Sequence, residues 1–280
     1  MIDLASEAWR RALTIGLRVR LADDRGGALP LPVFRFGPVD VAYAGFPVGL
    51  TPGEAPQALE AARASGAALV RIITTGGPLA DGSGKRRYVQ TSAWIPDLRA
   101  WSPGATDKAR RTRNRKARSP VVLRDSHAGD GDALWRLYRQ TLTRRGGSAR
   151  YTSTYFAELA DAGVLVATLD EAIIGFAACG VFGSRAFYLH GAHDPVARPH
   201  YPSDLLFLAM LERAKARGAE SFDFLPSPPQ QPALHAYKRS WGAFDTASVT
   251  EDVPISMAGS ALAAAYAARQ RLSRWRSSRA

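Results

Sequence analysis

Residues 164–191 constrain the fold more than any other stretch. Three apolar, β-prone runs at 164–169, 172–181 and 185–191 are separated only by Asp170-Glu171 and by Phe182 with the Gly183-Ser184 turn. Connections this short leave no room for a crossover, so these runs are expected to pair as an antiparallel meander. Such a sheet needs other elements against its apolar face, and the flanking sequence provides helices. Residues 130–145 set Ala133, Leu134, Leu137, Tyr138 and Leu142 at helical spacing before Gly146-Gly147, and 152–162 reads as a second helix. Beyond the meander, Ser203 caps a helix whose apolar face is Leu205, Leu206, Leu208, Ala209 and Leu211, and Gly218 stops it. A buried strand at 221–225, a Pro- and Gln-rich break, a helix presenting Lys238 before a Trp241-Gly242 corner, and a strand at 249–253 complete the series. The order is α+β.

The first hundred residues read as short strands and turns with little sustained helix. Residues 17–21 and 29–36 form a hairpin about an Asp23–Gly27 turn, with an edge strand because Pro30 and Pro32 cannot donate to a ladder. An Ala-rich helix at 54–65, a buried strand at 67–74 and a further strand at 87–95 make a small α/β unit. The Gly76–Gly84 stretch reads as a loop. Segment 105–118 has no apolar stripe; as a helix it sets Lys108, Arg111, Arg115 and Arg118 along one side, and Pro120 ends it. The expected divisions are 1–104, 105–252 and a basic helical tail at 253–280.

The formal charge of +12 is concentrated in two places. Residues 107–118 carry seven basic side chains against Asp107, and the tail from Arg269 carries five arginines and no acid, so the remaining body is nearly neutral. Such patches suit a cofactor's phosphates, an RNA or an anionic membrane, and equally a solvated helix face. Cys179 is the only cysteine, which excludes an intramolecular disulfide and a Cys-rich metal site; within its apolar run it reads as a core thiol. No basic-then-apolar leader and no run of 18 apolar residues is present, so a cytoplasmic setting is expected. In the tail, 258–276 intersperses Leu262, Tyr266, Leu272 and Trp275 with arginines, which suits either peripheral contact with the inner membrane surface or packing on its own domain.

Four pieces in order carry a resemblance: Tyr88–Leu98; Arg113-Asn114-Arg115-Lys116-Ala117 followed by Val121–Arg124; Tyr188-Leu189-His190-Gly191-Ala192; and 218–242 with Lys238 before its aromatic-glycine corner. Together they resemble the GNAT superfamily of acyltransferases, and within it the two-lobed Fem-type branch. The resemblance implies a C-terminal lobe with a mixed, mostly antiparallel sheet and flanking helices, and a smaller N-terminal α/β lobe. It implies direct transfer of an acyl group, without a covalent enzyme intermediate, to an amine on a small molecule or peptide. Acyl-CoA is the expected donor, with no permanently bound cofactor. Aminoacyl-tRNA, held by the 108–118 helix, is the alternative donor, and a noncatalytic scaffold on a worn GNAT frame is the alternative class. The chain departs from the family where a glycine-rich turn cradles the coenzyme A pyrophosphate: here the sequence is Val196-Ala197-Arg198-Pro199-His200-Tyr201-Pro202-Ser203-Asp204. The first amides of the Ser203 helix remain available to an anion, and Asp204 opposes one.

Acyl transfer needs a deprotonated amine, an oxyanion stabiliser and a positioned donor. Lys238 matches the family's lysine and is the expected oxyanion or phosphate contact. Asp223, between Phe222 and Phe224, points away from those rings and needs a partner, whether Lys238 or a backbone turn; it reads as a strand brace, or as a general base or anchor for the acceptor amine. His190 at a strand end is a candidate base, and Tyr188 a candidate donor to the leaving group. Arg198, His200, Tyr201 and Ser203 are the expected donor-binding residues. The His190–His193 pair has no second ligand cluster, so no metal is expected. Nucleophile-elbow, Walker and dinucleotide-binding motifs are absent.

Overall fold

The computed structural model describes residues 1–22, 28–79, 82–147 and 149–277, with side chains throughout these except at 86, 87 and 269–277. In chain order the elements are β1 (Ile2–Asp3), α1 (Glu7–Thr14), β2 (Arg20–Leu21), β3 (Pro32–Phe36), β4 (Val39–Ala44), α2 (Ala55–Ala64), β5 (Leu69–Thr75), β6 (Lys85–Ile95), α3 (Asp107–Lys116), β7 (Val122–Asp125), α4 (Gly131–Arg144), α5 (Ser153–Asp161), β8 (Leu165–Leu169), β9 (Ala172–Phe182), β10 (Arg185–His193), α6 (Pro202–Ala216), β11 (Ser221–Pro226), α7 (Pro232–Arg239), β12 (Phe244–Pro254) and α8 (Met257–Ser277). They fall into two compact units, one built on Met1–Arg18 and Ser92–Thr246, the other on Pro30–Thr91 and Ala247–Ala280. The cuts between the units lie inside β6 and β12, and the N-terminal segment joins the unit that holds the meander.

In that unit the strands run β7-β8-β9-β10-β11-β6. The expected meander is present: β8, β9 and β10 pair antiparallel in sequence. β11 departs from it, pairing parallel with β10 because α6 intervenes as a crossover. Helix α6 is apolar nearly all round, and Leu205, Leu206, Leu208 and Leu211 are all buried, as a helix enclosed on several sides requires. Helix α1 was not legible as a sustained helix. It begins at Ser6, whose hydroxyl accepts from the Trp9 amide, and buries Trp9, Ala12 and Leu13. Arg11 of α1 pairs with Glu158 of α5 at 2.9 Å, while β1 lies parallel to β9. Leu4 fills the space over Gly180 so closely that any Cβ there would strike it.

The other unit has strand order β2-β3-β4-β5-β12, with β4 and β5 parallel and the other neighbours antiparallel. The β2–β3 hairpin is as expected, and its Asp23–Gly27 turn lies outside the described residues, as does part of the 76–84 loop. Arg71 is buried and fully used. It makes a two-bond contact with Asp252 at 2.8 and 3.2 Å, donates to the Tyr43 hydroxyl at 2.8 Å, and lies 4.7 Å from the Tyr266 ring centre. Tyr266, Leu262 and Ala263 of α8 pack on Val41 and Leu69. The apolar side of the tail helix is thus spent on its own unit over this stretch; the arginines from 269 onward lie beyond the described side chains.

Candidate active site

The parallel ladder between β10 and β11 holds only from Arg185–Ser221 to Phe187–Asp223, whereas β10 continues along β9 to His193. Past Phe187 the strands part. Asp223 stands at this point, 5% exposed, and its Oδ1 accepts from the Leu225 amide at 2.7 Å and from the Ser92 hydroxyl. That turn holds Leu225 in the left-handed region at φ +58°, where its carbonyl has left the ladder. Lys238 of α7 satisfies the carbonyl: its Nζ donates to Leu225 O at 2.7 Å and lies 5.9 Å from the Tyr188 ring centre. Lys238 is only 3% exposed, and burial, offset in part by Asp223, pushes its ammonium down to about 8. Burial also raises the Asp223 carboxyl, with Ser92, the Leu225 amide and Lys238 acting against it. Of the two partners expected for Asp223 it is the backbone turn that bonds it, joined by Ser92. The structure thus brings Asp223, Lys238 and Tyr188 together.

Next to the split is a cavity of about 300 Å³ with Tyr188, Gly191, Ala192 and His193 of β10 on one side, Ser203, Leu206 and Phe207 of α6 on another, and Leu234 and Tyr237 of α7 closing it. Tyr188 packs on Phe207 at 4.8 Å, and burial pushes its phenol up to about 12. A Cβ at Gly191 would sit on the Tyr188 hydroxyl, so only glycine leaves that hydroxyl its place.

The candidate base His190 is on the opposite face. Its Nε2 meets the Tyr155 hydroxyl at 2.8 Å and its ring packs on Tyr151 at 4.5 Å, and burial drives its pKa down to about 4. The cause is a β-bulge. Tyr188 pairs with Cys179 but His190 with Ala178, so one extra residue reverses the alternation that would have placed both side chains together. His193 is the histidine that lines the cavity. Its Nδ1 meets the Ser203 hydroxyl at 2.8 Å, and burial, followed by Arg144, Arg145 and Arg198, lowers its pKa. Cys179 is buried with its thiol pushed up to about 12, an inert core residue.

The turn before α6 differs from the expected anion cradle. Arg198–His200 forms a 3₁₀ turn and Tyr201 is left-handed at φ +54°. Its amides are already occupied: those of Arg198, His200 and Tyr201 bond within the turn, and those of Asp204 and Leu205 both reach Tyr201 O at 3.1 and 3.2 Å. Pro199 and Pro202 have none. An anion at this helix start therefore meets few open N–H groups, and Ser203 is engaged by His193.

Positive charge comes instead from across the turn. Arg111, Asn114, Arg115 and Arg118 of the α3 region face Pro199, His200 and Tyr201 around an open basin of about 760 Å³. The Arg115 guanidinium lies 3.5 Å over the Tyr201 ring. Arg198 is exposed on the turn. Asp204, which from sequence opposes an anion, is buried and neutralised: Lys108 at 2.7 Å, Arg115 at 3.3 Å and the Tyr237 hydroxyl at 2.9 Å all converge on it. The α3 segment is therefore a docked helix with Ala109 and Thr112 buried, and one edge of its basic side is fixed by α6. The sequence showed both charges but not their pairing.

Among the described residues no group of three His, Cys, Asp or Glu side chains is placed to hold a metal ion, and no helix is long and apolar enough to cross a membrane.

The acetyltransferase (GNAT) domain family matches residues 105–239. No curated protein sequence matches the chain. Among solved structures, FemX is similar with a TM-score of 0.58 at 16% identity, covering 89% of this chain and 91% of FemX. The L-PGS structure from Bacillus licheniformis gives 0.58 at 16% identity, with 90% and 93% coverage. The C-terminal domain of a putative lysylphosphatidylglycerol synthetase from Agrobacterium fabrum gives 0.57 at 17%, with 94% and 90% coverage. At these identities the likeness is one of fold.

Proposed function

We propose, from the match of residues 105–239 to the acetyltransferase (GNAT) domain family, that the chain transfers an acyl group from an acyl-CoA donor directly to an amine in the cavity beside the β10–β11 split. The observation that carries this reading is the parted strand pair, with Tyr188, Gly191 and His193 on the free edge of β10 and Lys238 anchored at Leu225 opposite. A cavity of about 300 Å³ has room for about ten water-sized groups, enough for a transferred group and an amine but not for a whole donor. The donor's phosphates are assigned to the basin, where Arg111, Arg115 and Arg118 supply charge-assisted donors.

In this reading the amine nitrogen attacks the thioester carbonyl carbon and the C–S bond breaks. His193, kept neutral by burial, takes the proton released by the amine, and the phenol of Tyr188 donates to the departing sulfur. Lys238 spends one N–H on Leu225 and has two more for the developing oxyanion; Asp223 braces the turn that holds Leu225. The test is thiol release from acetyl-, succinyl- and longer coenzyme A thioesters with a panel of amines. Turnover that Lys238→Ala leaves intact removes that residue from the reaction.

A second reading, an aminoacyl-tRNA donor, is favoured by the openness and charge of the basin and rests on the same cavity. Binding of charged tRNA would then weaken steeply with salt, and salt-independent binding counts against it.

A further inference from the structure

We infer that the amine acceptor seated in the β10–α6–α7 cavity is a small molecule or chain end that also carries a carboxylate or phosphate, read by Arg144 and Arg145. This deepens the acyl-transfer reading and rests on it. The cavity walls are apolar, formed by Phe176, Leu206, Phe207 and Leu234, while the exposed Arg144 and Arg145 bound the same space from the end of α4. Among the described residues no Asp or Glu lines it. Neither arginine has a carboxylate within salt-bridge distance among the described residues, and Arg145 is oriented by a 2.5 Å bond to Gln231 Oε1. Two guanidinium groups with no acid between them repel a ligand whose only charge is an ammonium and favour one with an anionic group.

Two further features fit such a ligand. Thr141 lines the cavity, and its Oγ1 is shielded from solvent with no hydrogen-bond partner, a polar atom that a ligand there could satisfy. The same arginines help lower the His193 pKa in the free site, and an anion bound to them would offset that effect and make His193 a stronger base. The volume limits the acceptor to about ten non-hydrogen atoms inside, the size of an amino acid or of the last residue of a peptide.

The experiment measures direct binding of norleucine, norleucinamide and 1,5-diaminopentane to the full chain by titration calorimetry, beside their use as acceptors. Norleucine is expected to bind at least about tenfold more tightly than its amide, with the diamine weakest. The double variant Arg144→Gln/Arg145→Gln, altered only at exposed side chains, is expected to bring the acid-to-amide ratio to near one. Equal or preferential binding of the amide or diamine, no binding of any probe, or a ratio unchanged in the double variant overturns the inference. The two ideas fail separately. Transfer to the amide or diamine without acid preference sinks the inference alone, whereas acid-selective binding with no thiol release from any thioester sinks the acyl-CoA reading alone.

Discussion

Replacing Lys238 with methionine separates what the lysine does for the fold from what it does for the chemistry. In the folded chain its ammonium titrates near 8 against an ordinary 10.5, chiefly because it is buried. That gap corresponds to roughly 3 kcal/mol by which the fold disfavours the charged form. Between 8 and 10.5 the unfolded chain binds more protons than the folded one, so stability rises with pH across this window and the full cost is present below it. Going from pH 7 to 9.5 relieves roughly 2 kcal/mol of that cost. Methionine has similar length and no charge, so the term disappears, but the Leu225 carbonyl loses its 2.7 Å donor at a cost of about 1–3 kcal/mol. The two effects nearly cancel at pH 7. Lys238→Met is thus expected within about 2 kcal/mol of the parent at pH 7 and to fall behind by roughly 2 kcal/mol more at pH 9.5. Urea denaturation of both proteins at both pH values measures this, since the other titrating groups are shared. A parent-minus-variant difference that does not change with pH would refute a buried, charged Lys238.

Three more outcomes follow from the geometry. Asp204→Asn leaves Lys108 and Arg115 without their shared carboxylate; because both cations are only partly buried, a loss of about 2 kcal/mol is expected in urea, with a raised donor KM as Arg115 loosens over Tyr201. Arg111→Ala/Arg118→Ala is expected to raise donor KM about tenfold while kcat is kept, and a selective fall in kcat would contradict their assignment to the donor's phosphates. His190 has a folded pKa of about 4 against 6.5 unfolded, so the unfolded chain binds the extra proton in that window and stability is lost as pH falls from 6.5 towards 4. His190→Gln should remove that part of the acid sensitivity, as read from urea midpoints at pH 7 and 4.5, without removing turnover.

The meander and α6 were legible because strand and helix periods differ and two-residue turns admit one pairing. The strand at Asp223 and the helix carrying Lys238 were legible for the same reason. His190 was not, because a single-residue bulge at Leu189 leaves composition untouched while exchanging the two faces of the strand. It is His193, at the same strand end, that shares the cavity with Tyr188. Helix α1 escaped notice because it spans two turns, and its evidence was confined to Ser6 as a cap and the Trp9–Leu13 spacing. Asp204 read as an obstacle to anions because its partners Lys108 and Arg115 are remote in sequence and meet it only when α3 docks on α6. The basin therefore takes its charge from α3 and not from the amides of the turn, which are bonded to carbonyls of the turn itself.

The central claim is that acyl transfer takes place where β10 and β11 part. A crystal structure with coenzyme A bound tests it most directly. The thiol arm is expected along Tyr188–His193 with the sulfur near Tyr188 and Lys238, and the phosphates on Arg111, Arg115 or Arg118. Coenzyme A bound away from the parted strands, with the cavity empty, would contradict it.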